Sequence, residues 1–207
     1  MGKINRTQLI RRALGATAAA ALMVVGLVGT AQAQTATTNA AATFAAQARA
    51  AGLTTAQASG LQAEVNSYLA QLGGRQVAAN AIDLNGTGGL VVPVPGELKV
   101  RAMAGSAATR PEINGNCTSG DFCTWQLFDG GGGFLFKFVC NSPVNFPSSW
   151  LPGRQGSYWN HQTGGAHAFV YEGPNGLGTR DISPAVGSLV EWPWGANPID
   201  RSFVACH

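Results

Sequence analysis

Four cysteines, Cys117, Cys123, Cys140 and Cys206, and three histidines, His161, His167 and His207, have the widest chemical range in this 207-residue chain. Thiolates and imidazoles together can hold zinc. The cysteines, however, are separated by 5, 16 and 65 residues, and zinc sites favour pairs two to four residues apart. Disulfides are the other chemistry open to them, and four cysteines allow three pairings that spacing alone leaves open. Nucleophilic catalysis would need a strained elbow such as G-x-S-x-G, and metal-assisted proteolysis an H-E-x-x-H helix. Neither occurs, so the histidines read as surface or strand-edge residues and no catalytic residue, metal or cofactor is expected.

Aromatic side chains are the other candidates for recognition. Trp150, Trp159, Trp192 and Trp194 could present rings to a glycan or a protein. In Trp192-Pro193-Trp194, strand alternation puts both rings on one face and Pro193 argues for an edge or loop. This pair is the candidate binding surface. The segment Asp129 to Gly133, with four glycines, is either a contact loop or a requirement of the fold.

The elements that position these residues begin beyond the N-terminus. Lys3, Arg6, Arg11 and Arg12 precede an uncharged apolar run from Ala13 to Val28, which is followed by Ala31-Gln32-Ala33. This is the order of a secretory signal peptide, with cleavage expected after Ala33. A membrane anchor wants about 20 apolar residues and fits less well; Arg11-Arg12 matches a twin-arginine signal only loosely. Four of the 13 Lys and Arg leave with the signal, so nine basic side chains face ten acidic ones and the mature net charge is −1. That balance gives no electrostatic footprint for nucleic acid. The expectation is a secreted, extracellular monomer, with no membrane association after cleavage and disulfides favoured over thiolates.

Composition divides the mature chain. Residues 34–95 are rich in Ala, Gln and Leu, whereas residues 116–207 hold every cysteine and tryptophan. Gln34 to Gly52 reads as flexible chain or frayed helix. Thr54 and Gln57 then form a capping box; Leu61, Val65, Tyr68, Leu69 and Leu72 share one helical face; and Gly73-Gly74 supplies the stop. Two β-leaning runs, QVAANAIDL and GLVVPVP, join through Asn85-Gly86, a dipeptide suited to a tight hairpin. A helix and hairpin of this size bury little core alone, so the module either leans on the rest or serves as a pro-segment or spacer. Residues 96–115 lack periodicity and read as a linker exposing Arg101 and Arg110 to nicking.

From Cys117 onward, FCTWQLF, FLFKFVC, HAFVYEG, SLVEWPW and SFVAC recur between Gly, Pro and Asn clusters, the spacing of an all-β sandwich or barrel. A repeat lies within them. Trp125 is followed after seven positions by Gly132, and Tyr171, 46 positions after Trp125, by Gly178 at the same interval. This pattern resembles the two-Greek-key βγ-crystallin sandwich, in which the aromatic packs on its own folded hairpin and the glycine adopts a conformation other residues resist.

The run Cys117-Thr-Ser-Gly-Asp-Phe-Cys123-Thr-Trp125, the segment Trp159 to Gly165 and the closing Phe203-Val-Ala-Cys206 resemble one crystallin-like group more closely, the secreted bacterial metalloproteinase inhibitors. The likeness covers about residues 114–207. It implies a Cys117–Cys123 disulfide, leaving Cys140 with Cys206, and a protein that binds an extracellular protease without being an enzyme. The alternative within the same fold is a structural or ligand-binding module for calcium, glycan or the cell envelope. Calcium-binding crystallin loops pair acidic or amide residues with hydroxyls. Here Asn160-His161-Gln162-Thr163-Gly164-Gly165 has no carboxylate, and Asp200-Arg201-Ser202 also departs from the pattern; hard cations prefer several charged oxygens. The chain lacks the family's second close cysteine pair, so no reactive loop carries over. An inhibitory loop should be exposed and rigid, and Asn141 to Gly156 and Gly173 to Pro184 are the longest candidates.

Overall fold

In a computed structural model of the chain, the described residues are 40–103, 115–140, 142–150, 156–178, 180–182, 187, 190–192 and 202–205. A first helix, α1, covers 40–50, within the stretch that reads as flexible chain or frayed helix. Its side chains explain the order: Ala48 is buried, and the buried Gln47 accepts a hydrogen bond from the Ala79 amide at 2.8 Å. The second helix, α2 (Thr55–Leu72), starts on the capping box, with the Thr54 hydroxyl accepting from the Gln57 amide, and stops at Gly73. Leu61, Val65 and Tyr68 form its buried stripe.

Eleven strands come next among the described residues, all antiparallel. One sheet contains β1 (Arg75–Ala78), β2 (Ala81–Asp83), β3 (Gly88–Val91), β5 (Phe134–Lys137), β4 (Phe122–Trp125), β7 (Gly156–Asn160) and β10 (Val190–Trp192) in that spatial order. The other runs β6 (Val144–Asn145), β11 (Ser202–Val204), β8 (Phe169–Tyr171) and β9 (Arg180–Ile182). The run QVAANAIDL is therefore two strands and not one. Its break falls at Asn80, whose buried amide donates to the carbonyls of Val92 and Arg101, so a distant contact interrupts the strand. Asn85 and Gly86 both take positive φ in the β2–β3 turn, the geometry that matches strand twist.

The β2–β3 hairpin is continuous with the C-terminal strands. β3 pairs with β5, Leu90 opposite Leu135 and Val91 opposite Phe134, and residues Asn39–His207 form one compact unit. The segment read as a linker is also built in over 96–103: Val100 and Met103 are buried, and Arg101 is ion-paired with Glu97 at 2.9 Å. Arg110 lies outside the described residues.

The larger of two buried clusters lies on one face of the larger sheet. Phe122, Leu135, Tyr158 and Leu90 from that sheet cluster with Phe203 and Val170 of the smaller one and with Leu61 and Val65 of α2. Phe203 packs on Phe122 and Phe146 with ring centroids 5.1 and 5.3 Å apart. Trp150, a surface candidate by sequence, is buried here, its indole nitrogen donating to the Tyr68 hydroxyl at 3.4 Å. Burying a side chain the size of Phe203 is worth about 1.5–3 kcal/mol.

β4 to β7 and β8 to β11 repeat one pattern. In each set of four the first strand pairs with the second and fourth, while the third crosses to the opposite sheet, β6 onto β11 and β10 onto β7. The connection after the first strand is folded back identically in both. The Leu127 amide donates to Gly131 and the Gly131 amide to Phe128; the Gly173 amide donates to Leu177 and the Leu177 amide to Pro174. Asp129 and Asn175 at the turns have φ of 54° and 58°. Gly132 and Gly178 come next at φ 70° and 87°, conformations in which a Cβ is strained. A Cβ on Gly130 would stand 3.7 Å from the Trp125 ring, and one on Gly176 would stand 3.9 Å from the Tyr171 ring. Each aromatic thus lies along its own hairpin.

Candidate functional site

The outer face of the larger sheet carries an aromatic row. Strand alternation brings Trp125, Phe134 and Phe136 to this face, with successive ring centroids 4.9 and 5.4 Å apart, and all three are buried. Val100, Ala102 and Cys117 help to cover them, as parts of the same apolar cluster. At the end of the row, the partly buried Trp159 stacks against His161 at 4.8 Å with planes 6° apart. His161 Nδ1 meets the Cys117 carbonyl at 3.0 Å, which ties the imidazole to the disulfide loop.

That loop is closed by the Cys117–Cys123 disulfide. Within it the Thr118 hydroxyl donates to the buried Asp121 carboxylate at 2.6 Å. Cys140 is also disulfide-bonded, and its expected partner, Cys206, lies outside the described residues. A cleft of about 280 Å³ opens beside the aromatic row, lined by Lys99, Asn116, Trp125, Asp129, Gly130 and Trp159 among others. It combines indole surface with an amine, an amide and a carboxylate, the mix by which small-molecule sites fix orientation.

Next to the cleft stands a loop with pinned ends. Residues 92 and 101 are joined through Asn80, whose side-chain amide donates to Val92 at 2.9 Å and to Arg101 at 3.0 Å. Between them, the Glu97 amide donates to the Val94 carbonyl at 2.8 Å, and the Arg101 guanidinium holds both carboxylate oxygens of Glu97 at 2.9 Å. Val94 and Val100 are buried on either leg, while Leu98 at the apex is 79% exposed. The Leu98 carbonyl accepts from the Gly132 amide at 2.7 Å, which links this loop to the first folded hairpin.

The other sequence candidates are dispersed. Trp125 and Gly132 belong to the first hairpin, Tyr171 and Gly178 to the second. The Trp192 backbone pairs with Gly156 in β10; Trp194 and His207 lie outside the described residues. Asn160 is buried and bonded within its own loop, donating to Ala166 at 2.8 Å and accepting from the Gln162 side chain at 2.9 Å. Its oxygen is thus engaged by an amide donor. Among the described residues no group of three or more His, Cys, Asp and Glu is gathered to hold a metal ion, and no helix is long and apolar enough to cross a membrane.

Sequence reading missed the Leu98 loop, Asn80 and a fully buried lysine, Lys137 in β5, whose amine has no hydrogen-bond partner among the described residues and whose pKa burial pushes down. The loop did carry a signal: Pro95-Gly96 marks a turn, and Glu97 precedes Arg101 by four residues. Compared with known proteins, the chain matches no family model, no curated protein and no solved structure.

Proposed function

We propose that this chain is an exported, non-catalytic protein of the crystallin-like group that acts by binding, as an inhibitor of an extracellular metalloprotease. The observation that carries the reading is the double folded hairpin, with matching hydrogen bonds, matching positive φ and an aromatic laid along each turn. The crossing of each third strand to the opposite sheet supports two Greek keys. The Cys117–Cys123 disulfide supports the inhibitor group in particular, because that short loop opens the resemblance. The apolar segment after Lys3, Arg6, Arg11 and Arg12, together with the disulfides, supports export.

A second reading within the same fold has its own observation. The cleft between Trp125, Trp159, Lys99 and Asp129 suits a small polar ligand with an apolar face, so a ligand-binding module is the alternative. The test is residual activity of a thermolysin-like metalloprotease, subtilisin and trypsin in the presence of the oxidised chain from Gln34 onward. Inhibition of the metalloprotease supports the first reading. Unaffected activity of all three, with the chain folded, transfers the proposal to the cleft.

A further inference from the structure

Resting on the inhibitor reading, we infer that the loop entering the protease is residues 93–101, with Leu98 as the side chain that fills an apolar pocket of the enzyme. The described parts of the two segments marked by length alone are engaged elsewhere. Residues 142–150 are consumed by the fold: Val144, Phe146 and Trp150 are buried, and the Ser148 amide and hydroxyl both donate to Gln71 of α2. In 173–178 the chain is occupied in the second folded hairpin, with Leu177 62% exposed.

The loop at 93–101 has what tight protease recognition demands. Its apex is the most exposed large apolar side chain among the described residues, at 79%. Such a residue has no role in the core, and a single leucine is too small to make the surface adhesive. The backbone beneath it is already ordered: Pro93 and Pro95 fix their φ angles, Gly96 turns the chain at φ 92°, and the Glu97–Arg101 pair closes the turn. Asn80 pins both ends from inside the molecule. A loop held this way loses little conformational entropy on binding, and Val94 and Val100 on its buried legs set how far Leu98 projects.

The occupant is an extracellular endopeptidase with a leucine-sized apolar side-chain pocket beside its catalytic centre. Glu97 is neutralised by Arg101, so the apex presents an apolar anchor followed by one positive charge, Lys99. An interface anchor of this kind costs about 2 kcal/mol or more on truncation, roughly 30-fold in affinity.

The experiment compares inhibition constants of the full exported chain and its Leu98→Asp, Arg101→Ala and Leu177→Asp variants against the metalloprotease. Leu98 and Leu177 are both exposed, so each Asp variant should keep the parent's melting temperature. The expected result is a rise of roughly 30-fold or more for Leu98→Asp, a smaller rise for Arg101→Ala from a loosened loop, and no change for Leu177→Asp. Equal inhibition by the parent and Leu98→Asp overturns the loop assignment and leaves the inhibitor reading intact. Loss of inhibition in Leu177→Asp alone moves the contact to the second hairpin and also overturns it. A parent chain that inhibits nothing overturns both.

Discussion

Ser157 and Ser202 stand in equivalent places in the two halves of the β-structure, and each closes one folded hairpin. The Ser157 hydroxyl donates to Leu127 at 2.9 Å and accepts from the Gly130 amide at 3.2 Å. That of Ser202 donates to Gly173 at 2.7 Å and accepts from the Gly176 amide at 2.9 Å. Both serines are fully buried. One hydroxyl therefore satisfies a carbonyl and an amide that the tight turn leaves without regular partners.

Removing either hydroxyl should expose this dependence. Ser157→Ala and Ser202→Ala each remove the hydroxyl partner of two part-buried backbone groups; a net hydrogen bond is worth about 0.5–1.5 kcal/mol, so each variant should lose about 1 kcal/mol or more in denaturant unfolding. Among the described residues the hairpins share no hydrogen-bond partner, and the double variant should show the sum to within about 0.5 kcal/mol. An unchanged midpoint in both single variants would contradict the role assigned to the serines.

The hairpin glycines give a second test. A Cβ on Gly132, at φ 70°, would stand 2.8 Å from Gln126 Cβ, whereas one on Gly178, at φ 87°, meets the Gly173 amide nitrogen at 3.3 Å. Both Ala variants carry the cost of a left-handed backbone, about 1–2 kcal/mol. Gly132→Ala adds a clash, so its melting temperature should fall further than that of Gly178→Ala. The reverse order would contradict the crowding at Gly132.

Lys137 sets a pH dependence. Burial lowers its pKa, so between the folded value and the unfolded one of about 10.4 the unfolded chain binds more protons. Stability should therefore rise with pH through that window, and the cost of burying the charge should be fully present below the folded pKa. Lys137→Met should flatten the alkaline rise and stabilise the protein at neutral pH by about 1–3 kcal/mol. Urea midpoints across the neutral-to-alkaline range read both effects; a destabilised Met variant would show that the amine has a partner.

The sheet itself predicts the outcome of truncation. A fragment of residues 116–207 lacks β3, which pairs with β5 at four positions from Gly88–Lys137 to Val91–Phe134. Without it, Phe134 and Phe136 lose their cover at a new open edge, a template for aggregation. The fragment should be less stable or associate on size-exclusion chromatography. A monomeric fragment as stable as the full chain would contradict the pairing.

What was legible in the sequence was local. Thr54, Gln57 and the Leu61-Val65-Tyr68 stripe specify α2 within one segment, and Asn85-Gly86 specifies its turn by backbone preference alone. The Trp125–Gly132 and Tyr171–Gly178 intervals were visible because side-chain type and spacing repeat together. Contacts that span the chain were not. Ser157 and Ser202 are 45 positions apart while the hairpins are offset by 46, so the serines fall out of the repeat's register. Asn80 interrupts a strand for the sake of Val92 and Arg101, and residues 96–103 look like a linker because Val100 and Met103 find their apolar neighbours elsewhere in the chain. The Leu98 loop is ordered by those same distant contacts, which is why length alone pointed to other segments.

Whether this protein blocks a protease by binding is tested most directly by the stoichiometry of the block. The oxidised chain from Gln34 onward is titrated into a fixed amount of thermolysin-like metalloprotease, and the mixture is analysed by mass spectrometry. Inhibition by binding predicts activity falling linearly to zero at one equivalent, with the chain recovered intact. Undiminished activity with the chain cut into fragments would mark it as a substrate and contradict the inhibitor proposal.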